Sequence, residues 1–457
     1  MKKNIFYSFF LLLSTYCFAQ TFQGTWQGDI KISNTGLKLV FQVTSDNNTW
    51  QAKMDSPNQG AFGIPVQSVA VKNDSIFIKD ARMLIQYSGL LKGNEISGRF
   101  IQGNFSTELN LEKENSPILG PNRPQTPQPP YSYKTEDVVI ENVAEKVSLS
   151  GTLTLPNNVK NPTLVILISG SGPQDRDETI FNHKPFAVIA DYLTKNGYAV
   201  FRFDDRGTAK STGNFLEATS FNFASDVDAI VNSMTTRRDV NTNKIGLLGH
   251  SEGGLIAGIV AANNPKIKFV ISMAGPGVNG QDILLEQTYL IGKGANLTSQ
   301  QLEQNKQINT ALYQIILNEN WNDFNESAIK VITRYKELDP SVATADIDDL
   351  IKKIVPKNIK WFKTFLEINP SFYYNKLKIP VLAINGENDI QVSYMQNLPA
   401  LQATFKNKKS KTKSYSNLNH LFQTSKTQTI AEYNEIEETI APIVLEDIVF
   451  WLKNNKL

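Results

Sequence analysis

"KIGLLGHSEGG", Lys244 to Gly254, joins a short apolar run, Ile245 to Leu248, to a glycine-flanked His250-Ser251-Glu252. The following residues, "GGLIAGIVAAN", have the apolar content and length of a buried helix. Strand, G-x-S-x-G turn, then helix is the setting a nucleophile elbow requires. The turn must be sharp, so the backbone is strained and close packing leaves little room for side chains, which is what Gly249 and Gly253 permit. The positive end of the helix dipole then lies where an oxyanion would develop. Ser251 is therefore the candidate nucleophile. The competing reading is an ordinary strand-to-helix turn holding a small residue.

A serine needs a base near neutral pH, and the chain has three histidines: His183, His250 and His420. His250 adjoins Ser251 at a strand end, so its side chain is expected to point away. His183 stands at the start of a helix. His420, in "SNLNHLF", follows the last apolar strand, and active-site groups of parallel sheets gather at the carboxyl ends of strands. It is the expected base. The acid should lie between Ser251 and His420 in chain order. "IPVLAINGENDIQV" offers Asp389, deeper in its loop, with Glu387 as the fallback. The acid would hold the His420 tautomer and stabilise the imidazolium. An oxyanion hole needs two backbone N–H groups. Glu252, directly after the nucleophile, is expected to supply one. The "SGSGPQDRDE" loop after "PTLVILISG" is expected to supply the other, from Ser171 with Gly170 and Gly172 beside it. A dinucleotide-cradling loop is excluded there, because the third glycine is missing and Pro173 lacks a donor. "DRDE", Asp175 to Glu178, reads as a salt-bridged rim, with a calcium site as the lesser alternative.

The alternation around these motifs sets the architecture. "PTLVILISG", "YAVFRFD", "KIGLLGH" and "KFVISMAG" are apolar strands separated by helical stretches such as "FAVIADYLTKNG" and "SFNFASDVDAIVNSM". That pattern means an α/β fold with a mostly parallel sheet covered on both faces. "DVVIENV" and "VSLSGTLTLP" read as an antiparallel pair at its start. From about 279 to 375 helical periodicity replaces strands, in "SQQLEQNKQINTALYQIILNEN" and "ADIDDLIKKIV". The sheet resumes with "IPVLAING" and "KTKSYS", and "IEETIAPIVLEDIVFWLKNN" is a closing helix. Trp361, Phe362, Phe365, Phe372 and Tyr373 are candidates for lining an acyl pocket, with packing of the insertion itself as the competing use.

Residues 20–113 look different. "GLKLVFQV" alternates with Leu37, Leu39, Phe41 and Val43 on one face, and short strands follow with Asn, Asp, Gly and Pro between them. This predicts a small all-β domain, a barrel or sandwich. Six prolines in "ENSPILGPNRPQTPQPPYSY" make residues 114–133 a semi-rigid linker, and the α/β domain runs over 134–457.

At the N-terminus, Lys2-Lys3, the apolar Ile5 to Leu13 and Cys17-Phe18-Ala19 read as a secretory signal peptide over 1–19, cleaved after Ala19. The apolar part is shorter than the roughly 20 residues a membrane span needs. A secreted or periplasmic protein without a stable membrane span is expected. Cys17 is the single cysteine, so cleavage would leave no disulfide or thiolate site. Removing Lys2 and Lys3 leaves 44 basic residues against 44 acidic, a balance that gives no support to nucleic-acid binding. "KNKKSKTK", Lys406 to Lys413, is expected to be a solvated turn. No metal or organic cofactor is called for, and oligomeric state is not legible.

"LISGSGPQDRDE", "FRFDDRGTAKSTG", "GLLGHSEGG", "VLAINGENDIQV" and "LNHLF" together resemble the α/β-hydrolase superfamily. The resemblance is to secreted bacterial carboxylesterases of its dienelactone-hydrolase and prolyl-oligopeptidase-like groups. It implies a helical cap, formed by the 279–375 insertion, and a Ser-His-Asp serine esterase acting on a small-molecule acyl ester through an acyl-enzyme. Serine peptidases and acyl-thioesterases share this machinery, and an inert, non-catalytic binding protein is the reading of another class. Many relatives carry His-Gly at the first oxyanion loop where this chain has Ser169-Gly170-Ser171. The "GTWQG" start of the β domain loosely resembles lipocalin-like barrels.

Overall fold

The structure, a computed structural model, describes residues 22–32, 35–46, 49–56, 61–81, 83–103, 105–114, 122–318, 330, 333 and 359–457. Residues 1–19, read as a signal peptide, Cys17 among them, and "ADIDDLIKKIV" lie outside the described residues. The chain divides into two compact units, residues 1–120 and 121–457.

The first unit is one antiparallel sheet. Its strands are β1 (Gly24–Ile32), β2 (Thr35–Asp46), β3 (Thr49–Ser56), β4 (Ala61–Pro65), β5 (Ser68–Lys72), β6 (Ser75–Asp80), β7 (Ile85–Lys92), β8 (Glu95–Gln102), β9 (Phe105–Glu108) and β10 (Leu111–Glu114). Their order is β4-β3-β2-β1-β10-β8-β7-β6-β5, with β9 added on β8. The two edge strands, β4 and β5, are consecutive in the chain with two residues between them, and Val66 N bonds to Ala52 O of β3 at 3.1 Å. The sheet is thus rolled until its edges are neighbours, which favours the barrel over the sandwich. Alternation fills the inside: Leu39, Phe41 and Val43 of β2 join Trp26, Ile76, Ile78 and Tyr87 in one buried cluster. Trp26 donates its indole N–H to the Phe22 carbonyl at 2.7 Å, so its polar atom is satisfied within the apolar core. "STELNLE" reads as one strand but forms two, because Leu109 N leaves the strand line to bond Gly98 O at 2.9 Å.

The second unit carries β11 (Lys134–Asn142), β12 (Val147–Leu155), β13 (Thr163–Ile168), β14 (Ala199–Phe203), β15 (Asn241–His250), β16 (Ile267–Met273), β17 (Val381–Gly386) and β18 (Lys411–Tyr415). Their order is β11-β12-β14-β13-β15-β16-β17-β18. β11 pairs with β12 and β12 with β14 antiparallel; the pairs β14–β13, β13–β15, β15–β16, β16–β17 and β17–β18 are parallel. Every residue of β13 is buried, as a strand covered on both faces must be. The helices are α1 (Pro185–Lys195), α2 (Ser220–Met234), α3 (Glu252–Asn263), α4 (Gly280–Gly294), α5 (Ser299–Asn318), α6 (Ile359–Glu367), α7 (Pro370–Tyr374), α8 (Tyr394–Gln402) and α9 (Pro442–Asn454). One core cluster packs α2 and α3 on one face of the sheet, and a second packs α1 and α9 on the other. Helices α4 to α7 occupy the insertion between β16 and β17. The closing helix begins at Pro442 rather than Ile436, since proline fits the first helical position and cannot continue a helix from within. "KNKKSKTK" is a largely exposed turn into β18.

From Asn122 onward the proline-rich stretch is not a free spacer. The Arg123 guanidinium donates to the carbonyls of Phe181, Asn434 and Ile436, at 2.9 Å, 2.9 Å and 2.6 Å. Gln125 donates to Ile440 O and accepts from Thr439 N and Ile440 N. Composition predicts a segment without hydrogen bonds of its own; here the distant C-terminal region supplies them.

Strand β15 has no room at Gly246, where a Cβ would stand 2.1 Å from the Phe269 ring. Gly246→Ala should destabilise the second unit by about 1–3 kcal/mol through overpacking, read as a lower unfolding midpoint in urea. An unchanged midpoint would mean the ring moves aside freely.

Candidate active site

Ser251 closes β15 and caps α3 with φ 53° and ψ −124°, a conformation costly for any residue with a Cβ. Its N–H is fixed on Met273 O at 2.8 Å. A Cβ on Gly249 would meet Gly253 O at 2.0 Å, and one on Gly253 would meet Ile168 O at 2.1 Å. Both glycines of the motif are thus demanded by backbone-to-backbone contact.

The parallel pairing of β15, β16, β17 and β18 puts the loops after them at one edge of the sheet. His420, after β18, bonds through Nδ1 to Asp389 Oδ2 at 2.7 Å. Asp389, after β17, is buried, and its Oδ1 accepts from Gln391 N and Val392 N at 2.8 and 2.9 Å. Those two bonds leave Oδ2 for the histidine. Glu387 is turned elsewhere: its oxygens accept from Ser414 Oγ at 2.8 Å and Ser416 Oγ at 2.7 Å, and these bonds lower its pKa. Ser251 and His420 line one cavity of about 240 Å³ with Gly170, Ser171, Ile180, Ile283, Leu284, Trp361, Phe365, Gln391, Val392 and Leu421 among its walls. No protein group hydrogen-bonds Ser251 Oγ among the described residues. Of the five candidate aromatics, Trp361 and Phe365 face the cavity, stacked at 5.3 Å. Phe362 packs on Tyr313 within the insertion, and Phe372 is exposed.

The loop after β13 is shaped by carboxylates. Asp205 accepts from Ser169 Oγ at 2.8 Å and Gln174 N at 3.0 Å, and burial drives its pKa up. Gly170 N is used by Glu178 Oε1 at 2.7 Å. Ser171 N and Glu252 N, the two expected donors, meet no acceptor among the described residues. The "DRDE" run forms a partly salt-bridged rim: Arg176 pairs with Asp204 at 2.7 Å and Asp177 with Arg202 at 2.7 Å. Asp175 caps the turn by accepting from Asp177 N and Thr179 N. Glu178 points inward. Among the described residues no group of three or more His, Cys, Asp or Glu side chains is placed to hold a metal ion, and no helix is long and apolar enough to cross a membrane.

Sequence reasoning missed what the side chain of Glu252 does. Its Oε1 accepts from Ser220 Oγ at 2.6 Å and Trp361 Nε1 at 2.8 Å, and its Oε2 from Ser171 Oγ at 2.7 Å. Burial raises its pKa against the pull of those three donors. One carboxylate therefore ties the turn at Ser251 to the Ser171 loop, to α2 and to the inserted α6. The motif pattern leaves this position open, so only its backbone N–H could be foreseen.

A family model described as serine aminopeptidase, S33, matches residues 183–425, more than half of the chain. Esterase EstD of Thermotoga maritima is 23% identical over 435 residues, covering 91% of this chain and 93% of that protein. Among solved structures, the Pyrococcus furiosus esterase Pf2001 aligns over 74% of this chain and 98% of its own, with 19% identity and a TM-score of 0.43. A dienelactone hydrolase from Anabaena variabilis aligns over 71% and 99%, with 15% identity and a TM-score of 0.39.

His183 is placed far from nucleophilic work. Its Nε2 lies 3.1 Å from the Tyr433 carbonyl and 2.9 Å from Gln423 Nε2, and its Nδ1 lies 2.8 Å from the Thr439 hydroxyl. Burial pushes its pKa down to about 4, which leaves the ring neutral near pH 7. Because the folded value lies below the unfolded one, its contribution is complete above about pH 6.5 and lost as pH falls toward 4. The melting temperature should therefore drop by several degrees over that window. His183→Gln should flatten that part of the profile, and a variant curve parallel to wild type would assign the acid loss to other groups.

Proposed function

Because the chain belongs to the serine aminopeptidase S33 family of α/β-hydrolases, we propose that it is a serine hydrolase of carboxylic esters, with Ser251, His420 and Asp389 as its triad. The observation that carries this reading is the buried His420–Asp389 pair opening onto the same cavity as the strained Ser251. Ser251 Oγ attacks the acyl carbonyl while His420 Nε2 takes its proton, and Asp389 holds Nδ1–H and offsets the imidazolium charge. The N–H groups of Glu252 and Ser171 receive the oxyanion. His420 then returns the proton to the departing alkoxide, leaving an acyl-enzyme that water cleaves by the same steps in reverse. Helices α4 and α6 act as a cap, supplying Ile283, Leu284, Trp361 and Phe365 to the acyl side of the cavity.

The family description names an aminopeptidase, so peptide hydrolysis is the second reading. An aminopeptidase must balance the substrate's terminal ammonium. Among the described residues Glu178 is the one carboxylate lining this cavity, and it is engaged by Gly170 N and His250; Glu252, behind the lining Ser171 and Trp361, is engaged by three donors. Apolar walls without a free carboxylate favour a neutral acyl ester, and the name of EstD as an esterase agrees. We also read residues 1–19 as an export signal, so that the mature chain, secreted or periplasmic, starts at Gln20; the mass of the exported protein tests this.

A fluorophosphonate probe should label Ser251 in the folded wild type and not in Ser251→Ala. Equal labelling of the two would remove the catalytic claim for Ser251, and no labelling of either would leave a binding protein with an inert hydrolase fold. In a panel of p-nitrophenyl esters, acyl-thioesters and aminoacyl anilides, esters should be turned over fastest. A higher kcat/KM on anilides or thioesters would transfer the assignment to those classes. Asp389→Asn should cost about 10⁴-fold in kcat, with Glu387→Gln near wild type.

A further inference from the structure

His250 stands beside Ser251 but has no part in the triad. Its ring is buried and lies against the His420 ring, with centroids 4.8 Å apart. Nδ1 faces Glu178 Oε1 at 2.9 Å, and Nε2 faces the backbone carbonyl of His420 at 3.0 Å. A carbonyl can only accept, so Nε2 carries a proton. The same Glu178 oxygen accepts the Gly170 N–H at 2.7 Å, and as a carboxylate oxygen it accepts from Nδ1 as well. Two acceptors on the two ring nitrogens require two ring protons, which distinguishes His250 from the neutral His183.

We propose that His250 is an imidazolium paired with Glu178, and that this buried ion pair is a positioning device joining the oxyanion loop to the loop of the catalytic base. The chain of contacts runs from Gly170 N through Glu178 and His250 to the His420 carbonyl. At one end, Glu178 occupies Gly170 N and so leaves the neighbouring Ser171 N–H to face the substrate oxygen. At the other, the His250 N–H holds the backbone of the residue whose side chain must reach Ser251. Glu178 adopts φ +52° to make these contacts, a strained backbone of the kind retained where geometry matters. The titratable groups around His250 are Glu178 from the loop after β13, Asp389 from the loop after β17, and the His420 ring. Burial alone would lower the pKa of His250, but the Glu178 charge, its hydrogen bond and the His420 carbonyl override this and raise it. With the folded value raised, the contact is complete below the ordinary histidine range and is lost as pH rises through the folded value. The alkaline limb of the rate profile then reports His250.

This inference rests on Ser251 and His420 being nucleophile and base, and fluorophosphonate labelling of the same wild-type sample tests that reading alone. The protonation state is read on the wild type by long-range ¹H–¹⁵N correlation of the three histidines. One ring should carry protons on both nitrogens at about pH 8, above the ordinary range. Glu178→Gln should abolish that doubly protonated signal, move the alkaline limb of kcat to lower pH, and lower kcat about 10- to 100-fold with little change in KM. A labelled wild type whose histidines are all singly protonated near neutral pH would overturn the proposal without a variant. So would a folded Glu178→Gln that keeps the wild-type pH profile. If the wild type is not labelled, the triad reading fails, and the spectrum still decides whether the ion pair exists.

Discussion

Backbone meets backbone where β15 becomes α3, and the rest of the site is arranged around that lack of space. Gly253 lies against the Ile168 carbonyl and Gly249 against Gly253. The chain can turn this tightly only by holding Ser251 at positive φ, at a cost on the order of 1–3 kcal/mol. The Ser251 N–H bond to Met273 O and the largely buried strands on either side hold the turn in place. Strain at one residue is tolerable when a sheet covered on both faces fixes its neighbours, and the serine is thereby presented at the sheet edge with α3 directly behind it.

Buried acids do the remaining joining. Asp205 shapes the loop at Ser169 to Gln174, Glu178 reaches Gly170 and His250, and Glu252 gathers Ser171, Ser220 and Trp361. Each is surrounded by donors, as a carboxylate removed from water has to be. Because each of the three spans separate segments, loops that would otherwise move independently share side-chain contacts. Trp361 brings the inserted helices into that set, so the wall of the cavity and the loop after β13 have a carboxylate in common.

How much of this was legible depended on whether the signal was periodic or merely local. Apolar runs and the G-x-S-x-G spacing are repeated or tightly patterned, so β13 to β18, α2, α3 and the placement of Ser251 could be read directly. Asp389 and His420 followed from chain order and a small census of histidines, and the structure brings those two together at 2.7 Å. Glu178 was seen only as part of an acidic run, because nothing in "DRDE" says which carboxylate turns inward. Glu252 occupies a position the motif leaves free. Trp361 was one aromatic among five, and its indole contact depends on a fold-back of over a hundred residues. The start of α9 was misread because the apolar pattern begins before Pro442, whereas the helix begins at it.

The strap formed by Arg123 and Gln125 bears on where the α/β unit begins. A chain cut at residue 134, where the strand pattern starts, would lose the donors to the carbonyls of Phe181, Asn434, Ile436 and Ile440. Those carbonyls border the region that holds His183 and Tyr433, so the cut would open a seam on the side of the unit where its last residues return to its first helix. The thermodynamic boundary of the catalytic unit therefore lies ahead of its first strand, inside a segment whose composition looks like mere tether.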